Sequence, residues 1–287
     1  MRYGVVCSNL GGTGDVRVLV ELAREAEAAG WDGFFIWDSL LFAPTEQQAV
    51  ADPWVALAAI AAHTERIRLG PMVTPLPRRR PWQLARETVT LDHLSGGRLI
   101  FGVGSGAADD PSYTRFGEGA EPKVLGAMLD EGLAVLAGLW GGAPFSYRGE
   151  HYTVEECVFW PRPLQEPRIP VWVGGFWPNK PPFRRAARWD GVYPLALTDG
   201  QIDMTPRIFA EVVALVRRHR TGDSPFDFVA SGWTSPDEPE EAARLLSAYA
   251  AAGATWFLEA ADEFRAPLDA MRLRIRQGPP RAWERGA

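Results

Sequence analysis

Thiol and imidazole chemistry have little to work with in this sequence. Its cysteines are Cys7 and Cys157, too few and too far apart for a disulfide framework or a zinc site. A reducing cytoplasm is therefore the expected compartment. The four histidines are His63, His93, His151 and His219. Three fall near helix ends, where an imidazole serves as a solvated partner of the helix dipole, and the fourth falls in a surface insertion. No histidine and carboxylate cluster converges on a metal, and no serine sits in a G-x-S-x-G elbow, so hydrolysis by either route is disfavoured. Lysine is scarcer still: of the 30 basic residues only Lys123 and Lys180 are lysines, and arginine supplies the other 28. Set against 36 acidic residues, these leave a net charge of -6, which argues against a broad nucleic-acid-binding face. Apolar runs of membrane-spanning length are missing, and MRYGVVCSNLGG lacks the apolar core of a signal peptide. A cytoplasmic protein with neither membrane nor nucleic acid as partner is expected.

What the sequence does have is alternation of short apolar runs with amphipathic stretches. Strands are expected over 3–8, 33–37, 67–74 and 99–104, each followed by a helix, over 16–30, 53–64, 81–97 and 122–140. Residues 141–169 break the rhythm and read as a hairpin and proline-rich connection inserted between the fourth unit and the fifth strand. Strands over 171–175, 191–195, 226–232 and 254–259 then alternate with helices over 181–189, 208–220, 239–253 and 264–277. Eight such units in 287 residues predict one α/β domain, a (β/α)8 TIM barrel. A doubly wound open sheet competes with it, because periodicity does not reveal closure.

Chemistry in such barrels sits at the C-terminal ends of the strands. Here those ends carry Asn9, Gly11 and Gly12; Trp37, Asp38 and Ser39; Val73 and Thr74; Gly104, Ser105 and Gly106; Gly174, Gly175, Phe176 and Trp177; Tyr193; Ser231 and Trp233; and Glu259. The set is rich in glycine and aromatics and poor in acid–base groups, which suits an organic cofactor that brings its own chemistry. Tight barrel turns would use the same glycines. FGVGSGAADDP does not make a Rossmann fingerprint, since no helix opens before residue 122. After Gly174 and Gly175, a loop with Lys180 leads into a helix carrying Arg184 and Arg185. Helix N-terminal amides and nearby cations there form a candidate phosphate site, with an arginine-rich solvated face as the alternative. Arg78, Arg79 and Arg80 could likewise hold an anionic tail or lie in solvent.

The order of GWDGFFIWDS, DPWVALAAIAAHTERIRLGPMVTP, TLDHLSGGRLIFGVGSG, PRPLQEPRIPVWVGG and RAARWDGVYP resembles the bacterial luciferase-like monooxygenase superfamily, from residue 1 to about 195. The resemblance implies a TIM barrel that binds FMN or the deazaflavin coenzyme F-420 at its mouth. The chemistry implied is monooxygenation with reduced flavin and dioxygen, or hydride transfer with the deazaflavin. Met72 and Val73 fall where many deazaflavin members have a non-prolyl cis peptide that bulges against the ring. Thr74 would touch the ring, Gly104, Ser105 and Gly106 would line the same pocket, and Gly174, Gly175, Phe176 and Trp177 would follow the phosphate-bearing side chain. Lys180 and Arg184 would meet its charge.

Two departures from the family's pattern bear on catalysis. Asp38 and Ser39 stand where many members have Asp-His, and serine cannot supply the imidazole proton. Ala107 and Ala108 stand where some deazaflavin sugar-phosphate dehydrogenases carry an acid. Trp37, Phe42, Phe176, Trp177, Tyr193 and Trp233 favour an apolar or planar small-molecule substrate, and the resemblance implies a homodimer. The leading expectation is a flavin- or deazaflavin-dependent oxidoreductase; a non-catalytic flavin-binding protein is the second class.

Overall fold

Proline sets the start of most helices in this chain. α1 spans Val16–Ala28, α2 Pro53–His63, α3 Pro81–Leu94, α4 Pro111–Thr114, α5 Pro122–Trp140, α6 Pro181–Ala186, α7 Pro206–His219, α8 Pro239–Ala251 and α9 Leu268–Arg276. From α2 to α8 each begins on proline, whose fixed φ suits a first turn and whose missing N–H would have had no partner there. Asp15, Asp52, Asp110 and Thr205 cap α1, α2, α4 and α7 by accepting N–H bonds from Arg17, Val55, Ser112 and Ile208. The strands are β1 Arg2–Cys7, β2 Gly33–Ile36, β3 Arg68–Pro71, β4 Thr74–Pro75, β5 Phe101–Gly104, β6 Phe145–Arg148 and β7 Thr153–Cys157. After them come β8 Val171–Trp177, β9 Gly191–Thr198, β10 Gln201–Ile202, β11 Asp227–Gly232 and β12 Trp256–Ala261. The computed structural model describes residues 1–41, 45–119, 121–198, 201–235, 237–262 and 264–280.

The main sheet runs β3-β2-β1-β12-β11-β9-β8-β5-β4, with parallel pairing throughout that path. β3 and β4 end the path on either side, yet only Met72 and Val73 separate them in the chain, so the ring closes. A parallel bridge between Leu69 and Leu99 supports the seam. The fold is thus the closed (β/α)8 barrel and not the open sheet, with its third strand in two pieces. That strand, read over 67–74, divides at the Met72-Val73 peptide, which is cis, as the resemblance implied. The seam is tight, because a Cβ on Gly70 would lie 1.8 Å from the Ile100 carbonyl oxygen and one on Gly102 would lie 2.1 Å from that of Pro71.

Side chains alternate between two cores. The larger lies between sheet and helices. The smaller fills the barrel with Val6, Phe35, Met72, Ile100, Trp172, Tyr193, Val229, Trp256, Leu258 and Ala260. Phe35, Trp172 and Trp256 pack with centroids 5.4, 6.1 and 5.2 Å apart, each contact adding about 0.5–1.5 kcal/mol beyond area burial. Trp172 and Trp256 lie at the N-terminal ends of their strands, so the barrel floor is plugged. The opposite end, where Trp37, Val73 and Leu195 are only partly covered, is the one open to a ligand.

β6 and β7 pair antiparallel outside the barrel and are pinned to it by acids from the helices. Glu131 of α5 accepts the N–H groups of Glu150, His151 and Tyr152 at 2.8, 3.0 and 3.1 Å. Asp92 of α3 accepts those of Leu164 and Gln165 at 2.7 and 3.2 Å. The last helix is shorter than the expected 264–277, because Asp262 organises a turn by accepting the Phe264 N–H at 3.1 Å and Pro267 then starts α9. No helix among the described residues is long and apolar enough to cross a membrane.

Candidate active site

Val73 occupies the middle of the mouth. A Cβ on Gly104 or on Gly174 would come within 3.1 Å of its methyl groups, so the room left by those glycines is taken by this valine. The two strands lack side chains at these positions, which leaves room for Val73 to rise between them. Met72 points into the barrel core and Thr74 is 0% exposed, so of the three residues at the break Val73 alone meets solvent. The Thr74 hydroxyl donates to Asp38 at 2.7 Å.

Beside Val73, the loop after β5 is fixed by α4, a helix that the sequence reading did not foresee. Tyr113 donates its hydroxyl to the Ser105 carbonyl at 2.9 Å, and burial pushes its phenol well up. Gly106 has φ +73, and a Cβ there would stand 2.5 Å from the Tyr113 ring. Only glycine meets both demands. Ser105 and Gly106 are half-exposed, with the Ser105 hydroxyl turned to the Gly106 carbonyl at 3.1 Å. Ser112 ties this loop to the one after β2, accepting the Leu41 N–H at 3.2 Å and donating to its carbonyl at 3.0 Å.

Asp38 is a hub. Arg78 Nη2 reaches its backbone carbonyl at 2.9 Å and its Oδ1 as well, while Arg79 Nη2 lies 3.0 and 3.1 Å from its two carboxylate oxygens. The three side chains are 1%, 6% and 21% exposed. Arg78 and Arg79 are therefore not solvated, and Arg80 is the exposed member. Arg78 Nη1 and Arg79 Nε are buried with no acceptor among the described residues. Ser39 is held through its backbone, its carbonyl accepting from Asn9 Nδ2 at 2.8 Å.

Across the mouth, Tyr193 donates to Ser231 Oγ at 3.3 Å, and burial raises the phenol above its ordinary range. Asp262 follows β12; burial raises its carboxyl too, against the opposing pull of Arg265 3.5 Å away. Sequence reasoning missed Asp262 and Arg265, although the DEFR segment after the eighth strand was a visible signal. Trp37 stacks on Phe264 with 6.1 Å between centroids and 12° between planes. Leu40, Phe116 and Phe264 in the loops, Phe176 and Leu197 near the C-terminal ends of β8 and β9, and Ile202 of β10 are all exposed, so the rim is apolar. Phe42, expected among these aromatics, lies outside the described residues.

The expected phosphate site is only half present. Pro181 and Pro182 have no N–H, and the N–H groups of Phe183 and Arg184 both bond the Lys180 carbonyl at 3.1 Å. The start of α6 thus has no free amide for an anion. Arg185 turns inward to Asp130 at 2.8 and 2.7 Å. Lys180 and Arg184 remain as exposed side chains, next to exposed Phe176 and half-buried Trp177. Gly175 serves packing, since a Cβ on it would lie 2.4 Å from Pro182. His63, His93 and His219 each pair with a backbone carbonyl on the outside of the barrel.

A plugged parallel barrel whose one open end joins apolar rings, bare backbone and a buried carboxylate with two guanidiniums defines a small-molecule-binding α/β barrel. The chain belongs to the luciferase-like monooxygenase family, whose profile matches residues 1–285. It is 33% identical over 162 residues to an F-420-dependent glucose-6-phosphate dehydrogenase of Amycolatopsis mediterranei, covering 55% of this chain and 48% of that protein. It is 30% identical over 193 residues to the oxygenase component of a flavin-dependent trigonelline monooxygenase of Acinetobacter baylyi, covering 64% of this chain and 50% of that one. The chain thus spans about half the length of these relatives. Among solved structures, an F-420-dependent secondary alcohol dehydrogenase in complex with an F-420-acetone adduct superposes with a TM-score of 0.79 at 17% identity, covering 97% of this chain and 98% of that one. An EDTA monooxygenase from Chelativorans sp. BNC1 gives 0.75 at 17% identity, covering 100% and 94%.

Proposed function

We propose that this protein is an oxidoreductase that uses FMN or coenzyme F-420, held in the barrel mouth, to act on a small organic substrate. The observation that carries the reading is Val73, half-exposed between Gly104 and Gly174 at the centre of an apolar rim. It offers a planar ring a firm apolar support with no competing side chain on either neighbouring strand. Bound there, either group supplies hydride transfer, and reduced FMN also activates dioxygen.

The protein's part is to bind, orient and exclude water. Val73, Ser105 and Gly106 hold the ring, with Met72 and Thr74 fixing the backbone beneath it. Gly174, Gly175, Phe176 and Trp177 flank the cofactor's side chain, and Lys180 and Arg184 meet its phosphate as flexible cations without help from helix amides. Asp38 positions Thr74, Arg78 and Arg79. Ser39 has no imidazole to offer, and the neutral phenol of Tyr193, bonded to Ser231, is the group that can donate a proton from within the mouth. The relatives named above are enzymes and lend no support to a non-catalytic carrier.

A cytoplasmic homodimer completes the reading. α2 is apolar around its circumference and turns Val55 and Ala62 outward, which suits packing on a second subunit. The test is purification from a host that makes both cofactors, followed by the absorption spectrum and the mass of the released molecule. A flavin or deazaflavin of matching mass is expected; protein that takes up neither when either is supplied in excess sinks the reading.

A further inference from the structure

Two guanidiniums, Arg78 and Arg79, face the single carboxylate of Asp38. Among the described residues, the trio therefore holds one positive charge that nothing in its immediate bonding balances. Arg78 Nη1 and Arg79 Nε are also buried with no acceptor among the described residues. Buried donors in folded proteins are almost always paired, and an unpaired one on a charged group is costly. A water could satisfy a donor but not the charge; a compact oxyanion does both, through charge-assisted bonds.

The position of the trio says which molecule brings it. Thr74, which bonds the same carboxylate, directly follows Val73, and the Arg78 guanidinium lies near enough to the Tyr113 phenol to favour its ionised form. The Tyr113 hydroxyl is bonded to Ser105 at the end of the fourth barrel strand. Asp110, on that loop, is engaged in capping α4. Arg79, with 21% of its side chain exposed, is the member of the trio most open to solvent. The surrounding rim is apolar.

From this we infer that the substrate is an apolar organic molecule bearing one compact oxyanion, a carboxylate or phosphate, and that Arg78 and Arg79 receive that group while Asp38 holds them in place. The inference rests on the proposed function only in taking the mouth as the substrate site.

Calorimetric titration of the cofactor-free protein with benzoate and with benzamide, which match in size and differ in charge, tests it. Benzoate is expected to bind at least about ten-fold tighter. Arg79→Met leaves Asp38 paired with Arg78 and removes the excess charge, so it should erase the difference; Arg79→Gln does the same by another side chain, and Arg79→Lys should keep part of it. Equal binding of the two probes, or a benzoate advantage that survives in folded Arg79→Met or Arg79→Gln protein, overturns the inference. Repeating the titration after loading with FMN or F-420 separates the two sources of such an anion. An advantage that persists assigns the group to the substrate, whereas one abolished by loading assigns it to the cofactor and overturns the substrate claim. Cofactor uptake is read separately from its absorption, so protein that prefers benzoate but takes up neither cofactor sinks the oxidoreductase reading and leaves the oxyanion site standing.

Discussion

Arg98 and Thr64 are joined twice: the guanidinium donates to the Thr64 carbonyl at 2.8 Å and to its hydroxyl at 2.9 Å. The same side chain reaches the carbonyls of Ala61 and Ile67, both at 2.9 Å, and of Ser95 at 2.6 Å. One residue, 8% exposed, thereby pins the end of α2, the approach to β3 and the end of α3. Lysine keeps the charge but gathers its donors on one nitrogen, and methionine has none. Arg98→Met should lose at least about 3 kcal/mol in denaturant unfolding, as several buried carbonyls lose their donor, with Arg98→Lys in between. An unchanged midpoint would contradict this account of the seam.

Acid sensitivity should arise at a second clamp. Glu27 of α1 accepts the N–H groups of Glu65, Arg66 and Ile67 at 3.0, 2.6 and 2.9 Å. Burial opposes its charge, but those amides outweigh burial and hold the carboxyl below its ordinary range. The folded chain thus binds fewer protons there than the unfolded chain. The contribution is present above the ordinary value of about 4.3 and is lost as pH falls through the depressed one. Glu27→Gln should therefore be less stable than wild type at neutral pH, and the gap should narrow as pH drops below about 4.3. A gap that stays constant with pH would show that the charge contributes nothing.

Much of this architecture was legible because a strand's period of two and a helix's period of 3.6 leave different marks, and proline at α2 through α8 marked their starts. Periodicity alone did not reveal closure, which the count of eight units and the family resemblance implied and which depends on Met72 and Val73 letting one strand pair on both sides. The loss of the α6 amide site was written plainly in Pro181 and Pro182, yet Lys180, Arg184 and Arg185 drew attention to charge rather than to missing donors. Arg78 and Arg79 were the harder case. An arginine run reads as solvent-exposed in one dimension, and only the fold brings Asp38 from the neighbouring strand to turn two of the three inward.

Gly106 makes a local test of the mouth. Alanine there would meet both the φ of +73 and the Tyr113 ring 2.5 Å away, at a cost of about 1–3 kcal/mol for the backbone conformation. Tyr113→Phe removes only the bond to Ser105, about 1 kcal/mol. Gly106→Ala should therefore destabilise more than Tyr113→Phe and weaken cofactor retention with it. Equal midpoints for the two variants would mean that the loop accommodates the methyl group.

Asp38 decides between a catalytic and a positioning role for the second strand's acid. If its carboxylate acted chiefly on substrate, Asp38→Asn would keep the wild-type unfolding midpoint and lose turnover alone. The structure argues for another outcome, because Arg78 and Arg79 both depend on that charge and Arg78 is 6% exposed. Leaving buried guanidiniums without their counter-charge should cost about 3–5 kcal/mol. Adding Arg79→Met relieves part of that burden, so the double variant should be less destabilised than the sum of the two single changes. Additive losses would mean that Asp38 and Arg79 act independently, and the hub drawn here would not hold. A non-additive recovery of stability with turnover still absent would assign the carboxylate to positioning, since fold and function would then fail through the same two guanidiniums.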